Sequence, residues 1–191
     1  MELAFGIINQ AGFIRQLQIK YRNMKKMNML FKVFAFILFA SVVVSSCKKD
    51  EDPYAAYTPE REAGLIKDWL TQMAANKAVV KTTTSGINYI VEKEGTGATV
   101  KAGDKVTVKY TGMFLDGSIF DASAYHGDGT YTYTHKTDNL IKGWEEGIEV
   151  LSKGGSAAFL VPSAKGYGTA GSGSIPPNTP LIFIIEVVDI K

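Results

Sequence analysis

The sequence predicts an α+β fold in which an antiparallel β-sheet is wrapped around one short α-helix. Beyond about residue 85, several short segments alternate apolar and polar residues with a period of two, which is typical of half-buried strands. Only residues 139–151 interrupt them with helical spacing, and a single helix among antiparallel strands is expected on one face of the sheet. Ahead of this domain we predict an N-terminal signal segment and a separate short helix.

The charge and the cysteine content exclude several classes of function. The formal net charge is +2, yet residues 1–46 contain six basic residues and one acid, which leaves a mildly acidic body without a basic stripe. Nucleic-acid binding is therefore not expected. The chain has one cysteine, Cys47, and two histidines, His126 and His135. No intramolecular disulfide can form, and we expect neither a structural metal nor a cofactor.

The first part of the chain has the pattern of a secretory signal. The apolar run at 33–44 has the length of a signal h-region and is short for a transmembrane helix, which needs about 20 apolar residues. The following "VSSC" at 44–47 resembles the processing site of bacterial lipoproteins, where the cysteine becomes the lipidated first residue. We therefore expect residues 1–46 to be an N-terminal extension and a lipoprotein signal peptide, with lipid attached to Cys47. An uncleaved anchor with an incidental cysteine is the alternative.

The segments around this signal predict where the protein is located. We expect translation to start at Met24, Met27 or Met29, because "MKKMNMLFKVF" has the basic form of a signal n-region. "KKDED" at 48–52 resembles a surface-export signal of bacterial lipoproteins. Together they predict a lipid-anchored protein of the cell envelope that faces outside the cytoplasm, at the outer membrane or the cell surface.

Two further segments connect the anchor to the sheet. Residues 47–57 are polar and are predicted to be a tether, and residues 58–81 a helix followed by a linker. Thr58 is a suitable N-cap, and Pro59 suits the first helical position. We expect the apolar face of this helix to pack against its own domain at 82–191, with a dimer contact as the alternative. That face consists of Leu65, Ile66, Trp69, Leu70 and Met73.

The predicted sheet and its helix occupy residues 82–191. Residues 181–190 are apolar at most positions, so we place this strand in the centre of the sheet. "DG" at 116–117 predicts a tight hairpin turn. In the helix, Gly143 and Gly147 each cost roughly 1 kcal/mol relative to alanine, and we expect them to allow a close approach to the sheet. The segments predicted as strands are 87–95, 105–114, 130–134, 156–162 and 181–190.

Three motifs carry a family resemblance: "VKYTGMFLDGSIFDAS" at 108–123, "IKGWEEGI" at 141–148 and "GYGTAGSGSIPPNTPLIFIIEVVDI" at 166–190. From about residue 85 to its C-terminus, the chain closely resembles the FK506-binding-protein (FKBP) family of peptidyl-prolyl cis-trans isomerases. The resemblance implies an FKBP-like fold with an apolar pocket between the sheet and the helix. The helix at 58–78 is far shorter than the dimerisation helix of some members, so the resemblance does not imply that this protein forms a dimer.

The resemblance also implies which residues form the pocket. Trp144 would be its floor, Ile141 would offer a backbone N–H to a substrate carbonyl, and Tyr167 would offer its hydroxyl. The residues implied in catalysis are Tyr110, Phe120, Asp121, Ile141, Trp144 and Tyr167, and those implied in substrate binding are Tyr131, Leu140, Ile175 and Phe183.

"GSIFDASAYH" at 117–126 combines an acid and a histidine, a pair that suggests acid–base chemistry. Rotation about an X–Pro bond transfers no proton. We therefore expect Asp121 to be an acceptor that orients the Tyr110 hydroxyl, since a carboxylate in an apolar site needs hydrogen-bond partners. His126 and His135 are expected at the surface, outside the mechanism.

The chain departs from the family pattern in two loops and one strand. The stretch 121–131, which carries His126, is slightly longer than in well-known small members, and the loop 169–177 is slightly shorter. Tyr131 and Tyr133 stand where phenylalanines are usual. We expect the longer stretch to influence client preference.

The function implied is isomerisation of X–Pro bonds in proteins that fold outside the cytoplasm. Such bonds rotate over roughly tens to hundreds of seconds, because amide resonance opposes rotation. The alternative is a module that binds proline-containing segments or a partner complex with weak turnover. The implied partners are proline-containing polypeptides, FK506-like macrolides and the membrane, the last through lipid on Cys47.

Overall fold

The computed structural model describes residues 52–191. Within this range, Ala56–Lys191 form one compact unit. The predicted signal segment at 1–46, the predicted lipidation site Cys47 and the first part of the tether, up to residue 51, lie outside the described residues. No helix within residues 52–191 is long and apolar enough to cross a membrane.

Two α-helices and nine strands make up residues 52–191. The helices are α1 (Pro59–Ala75) and α2 (Lys142–Ile148), and 3-10 turns cover Ser123–Tyr125 and Ser163–Lys165. The strands are β1 (Lys81–Thr82), β2 (Asn88–Lys93), β3 (Thr96–Thr99), β4 (Lys105–Phe114), β5 (Ile119–Ala122), β6 (Tyr131–Thr134), β7 (Ser152–Lys153), β8 (Ser156–Val161) and β9 (Leu181–Ile190). The predicted α+β class, with one sheet around a short helix and a separate helix before it, is confirmed.

Seven of these strands form one antiparallel sheet in the order β1-β2-β8-β9-β4-β5, and β6 also pairs with β4. β9 pairs with β8 on one side and with β4 on the other, so that Leu181 lies opposite both Val161 and Phe114. Consecutive residues of β9 point to opposite faces of the sheet, so Phe183 and Ile182 join two separate apolar clusters. The predicted central position of this strand is confirmed, because both of its faces are covered.

Helix α2 packs on one face of the sheet, which we call the inner face. A Cβ atom added at Gly143 would lie 2.3 Å from Cγ1 of Val161, and one added at Gly147 would lie 2.9 Å from Cδ1 of Phe159. Both distances are shorter than a van der Waals contact. The close approach that we expected from the two glycines is therefore confirmed.

The predicted extent of this helix, 139–151, is wrong at both ends. Ile141 has an extended backbone (φ −64°, ψ 143°) and is the N-cap, so Leu140 and Ile141 precede the helix although they match its apolar spacing. The helix ends at Ile148, and Leu151 follows it in a turn in which its N–H donates to the Ile148 carbonyl at 2.9 Å. Apolar spacing alone does not distinguish a helix from a loop that buries the same side chains.

Helix α1 covers the opposite, outer face of the sheet. Its N-cap, Thr58, accepts the Arg61 N–H at 3.2 Å through its hydroxyl. Ile66 and Trp69 pack against the outer-face cluster, and Met73 is buried as well. The expectation that this helix packs against its own domain is confirmed, while the domain boundary at residue 82 stays a prediction. The outer-face cluster consists of Met113, Ala158, Leu160 and Ile182.

Candidate active site

A cavity of about 590 Å³ opens between α2 and the inner face of the sheet. Nine of the ten pocket residues implied by the sequence line it. The tenth, Ile175, is buried in the core and is not among the lining residues. Asn139 and Gly166, which the sequence did not single out, also line the cavity. The nine are Tyr110, Phe120, Asp121, Tyr131, Leu140, Ile141, Trp144, Tyr167 and Phe183.

Aromatic rings that meet edge to face form the floor and the walls of the cavity. The ring centroid of Trp144 lies 5.2 Å from that of Tyr110 and 5.5 Å from that of Phe183, with interplanar angles of 80° and 78°. Phe120 meets Phe183 at 5.7 Å. Gly112 makes room for them, because a Cβ atom there would lie 2.6 Å from Cζ of Phe120. Such rigid apolar walls can enclose a small apolar ring.

A tyrosine beneath the floor holds Trp144 in place. The indole N–H of Trp144 donates to the Tyr133 hydroxyl at 3.0 Å, in a buried contact. Burial raises the pKa of Tyr133 to about 12, so its hydroxyl is neutral at physiological pH. The substitution of tyrosine for the usual phenylalanine at position 133 was visible in the sequence, but its partner was not.

The carboxylate of Asp121 lies at the cavity wall with two side-chain hydrogen-bond partners. The Tyr110 hydroxyl donates to its Oδ2 at 2.7 Å, as we expected, and its Oδ1 lies 2.9 Å from Nε2 of His126. Burial disfavours the charged form of Asp121, but these two hydrogen bonds, a third from the backbone of Ala122 and the charge of His126 together outweigh burial and hold its pKa below the ordinary value. Burial and the neighbouring carboxylate raise the pKa of Tyr110.

His126 is exposed, as expected, but its contact with Asp121 was not predicted. The 3-10 turn Ser123–Tyr125 brings the histidine back over the strand that carries Asp121. The spacing of five residues gave no such signal, because it corresponds to neither a helical nor a strand period.

The expectation that His135 lies at the surface is wrong. His135 is fully buried, and its Nε2 lies 3.2 Å from Oε1 of Glu149, which also pairs with Lys136 at 2.5 Å. The available signal was the period of two in β6. That period places His135 on the same side as the buried Tyr133, and the two rings lie edge to face at 6.4 Å.

Ile141 approaches the cavity from the start of α2. As the N-cap, it accepts the N–H groups of Trp144 and Glu145 at 3.0 and 3.2 Å through its carbonyl. The first N–H groups of a helix have no intrahelical acceptor, so the N–H of Ile141 is suited to bind a ligand carbonyl.

Tyr167 approaches from the loop after β8, between Gly166 and Gly168. Burial and the charge of Asp121 raise its pKa, which keeps its hydroxyl a neutral donor. Within residues 52–191, no group of three or more His, Cys, Asp or Glu side chains could hold a metal ion. The arrangement can bind an apolar ring on Trp144 and a carbonyl between neutral donors.

Comparisons with known proteins identify the family. Residues 97–188 match the family profile described as FKBP-type peptidyl-prolyl cis-trans isomerase. The probable FKBP-type peptidyl-prolyl cis-trans isomerase of Haemophilus influenzae is 45% identical over 113 residues, which are 59% of this chain and 46% of that protein. The chain spans less than half the length of the first curated relatives it matches.

Two solved structures are also similar. The crystal structure of FkpA from Escherichia coli matches 69% of this chain and 60% of its own, with 36% identity and a TM-score of 0.60. That of a peptidyl-prolyl cis-trans isomerase from Pseudomonas syringae pv. tomato matches 75% of this chain and 99% of its own, with 29% identity and a TM-score of 0.58. Residues 97–188 therefore form a domain of the FKBP-type peptidyl-prolyl cis-trans isomerase family.

Proposed function

We propose that this protein catalyses the cis-trans isomerisation of X–Pro bonds in polypeptides, by non-covalent stabilisation of the twisted amide. The observation that carries the proposal is the cavity itself: a Trp144 floor, edge-to-face walls and an ionised Asp121 at its side. The substrates are proline-containing polypeptides. FK506-like macrolides are proposed to occupy the same cavity and to compete with them.

The physical basis of the reaction is the loss of amide resonance at the top of the barrier, which is about 18–20 kcal/mol for a peptide bond. The twisted amide has less charge separation than the planar one, so a dry aromatic cavity disfavours the planar form relative to it. The Ile141 N–H binds the rotated carbonyl, and the Tyr167 hydroxyl is a second donor. Interactions that strengthen only in the twisted state accelerate the rotation.

Asp121 acts in this proposal without transferring a proton. Its carboxylate accepts the Tyr110 hydroxyl at 2.7 Å and fixes that ring at the wall. Its negative charge favours one orientation of the carbonyl dipole during rotation. Because its pKa lies below the ordinary value, it stays ionised throughout the neutral range.

Proline-limited refolding of a model protein tests the proposal. Wild-type protein at micromolar concentration should accelerate the slow refolding phase, and Phe120→Ala and Asp121→Ala should reduce the acceleration while the domain stays folded. Tyr89→Ala is a matched control, because Tyr89 does not line the cavity. Its ring stacks on that of Phe159, with the two ring centroids 5.9 Å apart. The Tyr89→Ala variant should have a lower free energy of unfolding and an unchanged kcat/KM.

The alternative function predicts a different result in the same assay. A wild-type protein that binds proline-containing peptides without accelerating refolding would sink the isomerase proposal and favour a binding module. Full activity in both Phe120→Ala and Asp121→Ala would show that the active site lies elsewhere.

We also propose that the protein is a lipoprotein of the cell envelope, anchored through Cys47, and that its clients fold outside the cytoplasm. The apolar run at 33–44 and the "VSSC" at 44–47 support this proposal. Globomycin, an inhibitor of lipoprotein signal peptidase, should block processing, and Cys47→Ser should prevent labelling with radioactive palmitate. Normal processing in the presence of globomycin would contradict the proposal.

A further inference from the structure

The loop that carries Tyr167 is hydrogen-bonded, near both of its ends, to the N-terminal segment of the domain. We define this loop as residues 162–178. Near its start, the N–H and the hydroxyl of Ser163 donate to Oε1 and Oε2 of Glu62, each at 2.6 Å. At its end, Nδ2 of Asn178 donates to the carbonyl of Tyr57 at 2.7 Å. These contacts join residues more than 100 positions apart in the sequence, and none of them involves the cavity directly.

Inside the loop, hydrogen bonds continue from Ser163 to the residues that flank Tyr167. The carbonyl of Ser163 accepts the N–H of Gly166 at 2.9 Å and the N–H of Gly168 at 2.8 Å. The carbonyl of Gly168 in turn accepts the N–H of Asn178 at 2.9 Å. The backbone on both sides of Tyr167 is therefore fixed by the residue that Glu62 binds.

The Glu62 carboxylate is well placed for this role. Ser163 is only 5% exposed, and Glu62 itself is half-buried, so water competes weakly for the two hydrogen bonds. Hydrogen bonds to an ionised carboxylate are shorter and stronger than neutral ones. Ile66 and Trp69, one and two turns further along α1, hold the helix against the outer face of the sheet.

We propose that Glu62 is a positioning residue of the isomerase site: through Ser163 it holds the loop that presents Tyr167 to the cavity. This inference rests on the proposed function, in which the Tyr167 hydroxyl binds substrate. It gives α1 a role beyond covering the sheet, because a residue on the outer face then controls a residue of the inner-face cavity.

The experiment compares five variants of the full chain, purified in mild detergent, by hydrogen–deuterium exchange and by kcat/KM for a proline-containing peptide. Glu62→Ala removes both acceptors. Glu62→Gln restores them in part, because the amide oxygen accepts the Ser163 N–H and the amide nitrogen donates to the Ser163 hydroxyl oxygen. Glu60→Ala is the matched control, since it removes an exposed acid of the same helical turn. Tyr167→Phe and the double variant with Glu62→Ala complete the cycle.

We expect Glu62→Ala to accelerate exchange in peptides covering 163–178 and to lower kcat/KM roughly fivefold or more, since small misplacements of a binding group are costly. Glu62→Gln should recover most of both losses, and Glu60→Ala should show neither. In the Tyr167→Phe background, Glu62→Ala should cause little further loss of kcat/KM, because the hydroxyl it positions is absent. A merely structural role would give the same loss in both backgrounds.

Two results would overturn the inference: unchanged exchange of 163–178 in Glu62→Ala, or an equal loss of kcat/KM with and without the Tyr167 hydroxyl. If Glu62→Ala does not fold, Ser163→Ala removes one of the two bonds and is judged by the same criteria. An inactive wild-type protein would contradict the proposed function but not the inference about Glu62. The exchange of 163–178 would then still decide whether Glu62 orders the loop.

Discussion

The two faces of the central sheet are built from alternate residues of the same strands, yet they are packed differently, and the inner one encloses a large cavity. On the outer face, flexible aliphatic side chains such as Leu160 and Ile182 close against Ile66 and Trp69 of α1. On the inner face, rigid rings stand edge to face around a space of about 590 Å³. Aliphatic side chains fill gaps by changing rotamer, whereas interlocked rings keep their spacing. The outer face therefore contributes stability, and the inner face trades some packing for a binding site.

The largest expected effect separates stability from activity on the outer face. Leu160→Ala removes a fully buried side chain and should lower the free energy of unfolding by about 2–5 kcal/mol. Urea unfolding measures this loss. The kcat/KM of the folded protein should be unchanged, because the cavity is on the other face. Val188→Ala, at an exposed position of β9, should change stability by no more than about 0.5 kcal/mol. A loss of kcat/KM in folded Leu160→Ala would mean that the two faces are coupled at this position.

The next effect compares the glycines of the two helices. Gly143→Ala on α2 places a Cβ atom 2.3 Å from Val161, so overpacking should cost about 1–3 kcal/mol and displace the neighbouring Trp144. Gly64→Ala on α1 meets no atom within 4 Å and should stabilise the protein by about 0.5–1 kcal/mol. Thermal unfolding and kcat/KM measure both. Equal changes in stability in Gly143→Ala and Gly64→Ala would contradict the close packing of α2 against the sheet.

A smaller effect is expected beneath the cavity floor. Tyr133→Phe leaves the buried indole N–H of Trp144 without its acceptor, which should cost about 1–2 kcal/mol. The indole N–H resonance of Trp144 should shift and exchange faster with solvent. Tyr125→Phe, at a ring that is 66% exposed, is the control and should change neither. An unmoved Trp144 resonance in Tyr133→Phe would show that the hydroxyl does not hold the floor.

The smallest effect concerns the rim of the cavity. His126→Ala removes one of the hydrogen bonds that lower the pKa of Asp121, so that pKa should rise toward its ordinary value. A depressed pKa in the folded state adds stability above the unfolded pKa, and this stability is lost as the pH falls through the folded pKa. The variant should therefore be less stable than wild type at neutral pH, by at most about 0.5 kcal/mol for a solvent-exposed pair, and equally stable at strongly acidic pH.

An NMR titration of the carboxyl groups measures this shift directly. The pKa of Asp128, which hydrogen bonds from Thr130 hold below its ordinary value, is the internal control and should not move. An unchanged pKa of Asp121 in His126→Ala would mean that the contact with His126 contributes nothing to its charge state.

Periodicity predicted the elements whose burial repeats along the chain. The strand at 181–190 was predicted with its correct bounds and its central position, because both of its faces are apolar. The same reasoning extended α2 too far, since Leu140 and Ile141 are buried without being helical. It also left His135 at the surface, although the alternation of β6 points it inward beside Tyr133.

The sequence by itself determined five of the nine strands in residues 52–191, the need for two glycines in α2 and, through its family motifs, nine of the residues that line the cavity. Each of these follows from local spacing or from a motif that stays together along the chain. Only the tertiary structure decided the partners of the polar groups: Tyr133 with Trp144, His126 with Asp121, and Glu62 with Ser163. A hydrogen bond requires two specific atoms within about 3 Å. For residues separated by a turn or by most of the domain, that distance is set by how the strands and helices pack.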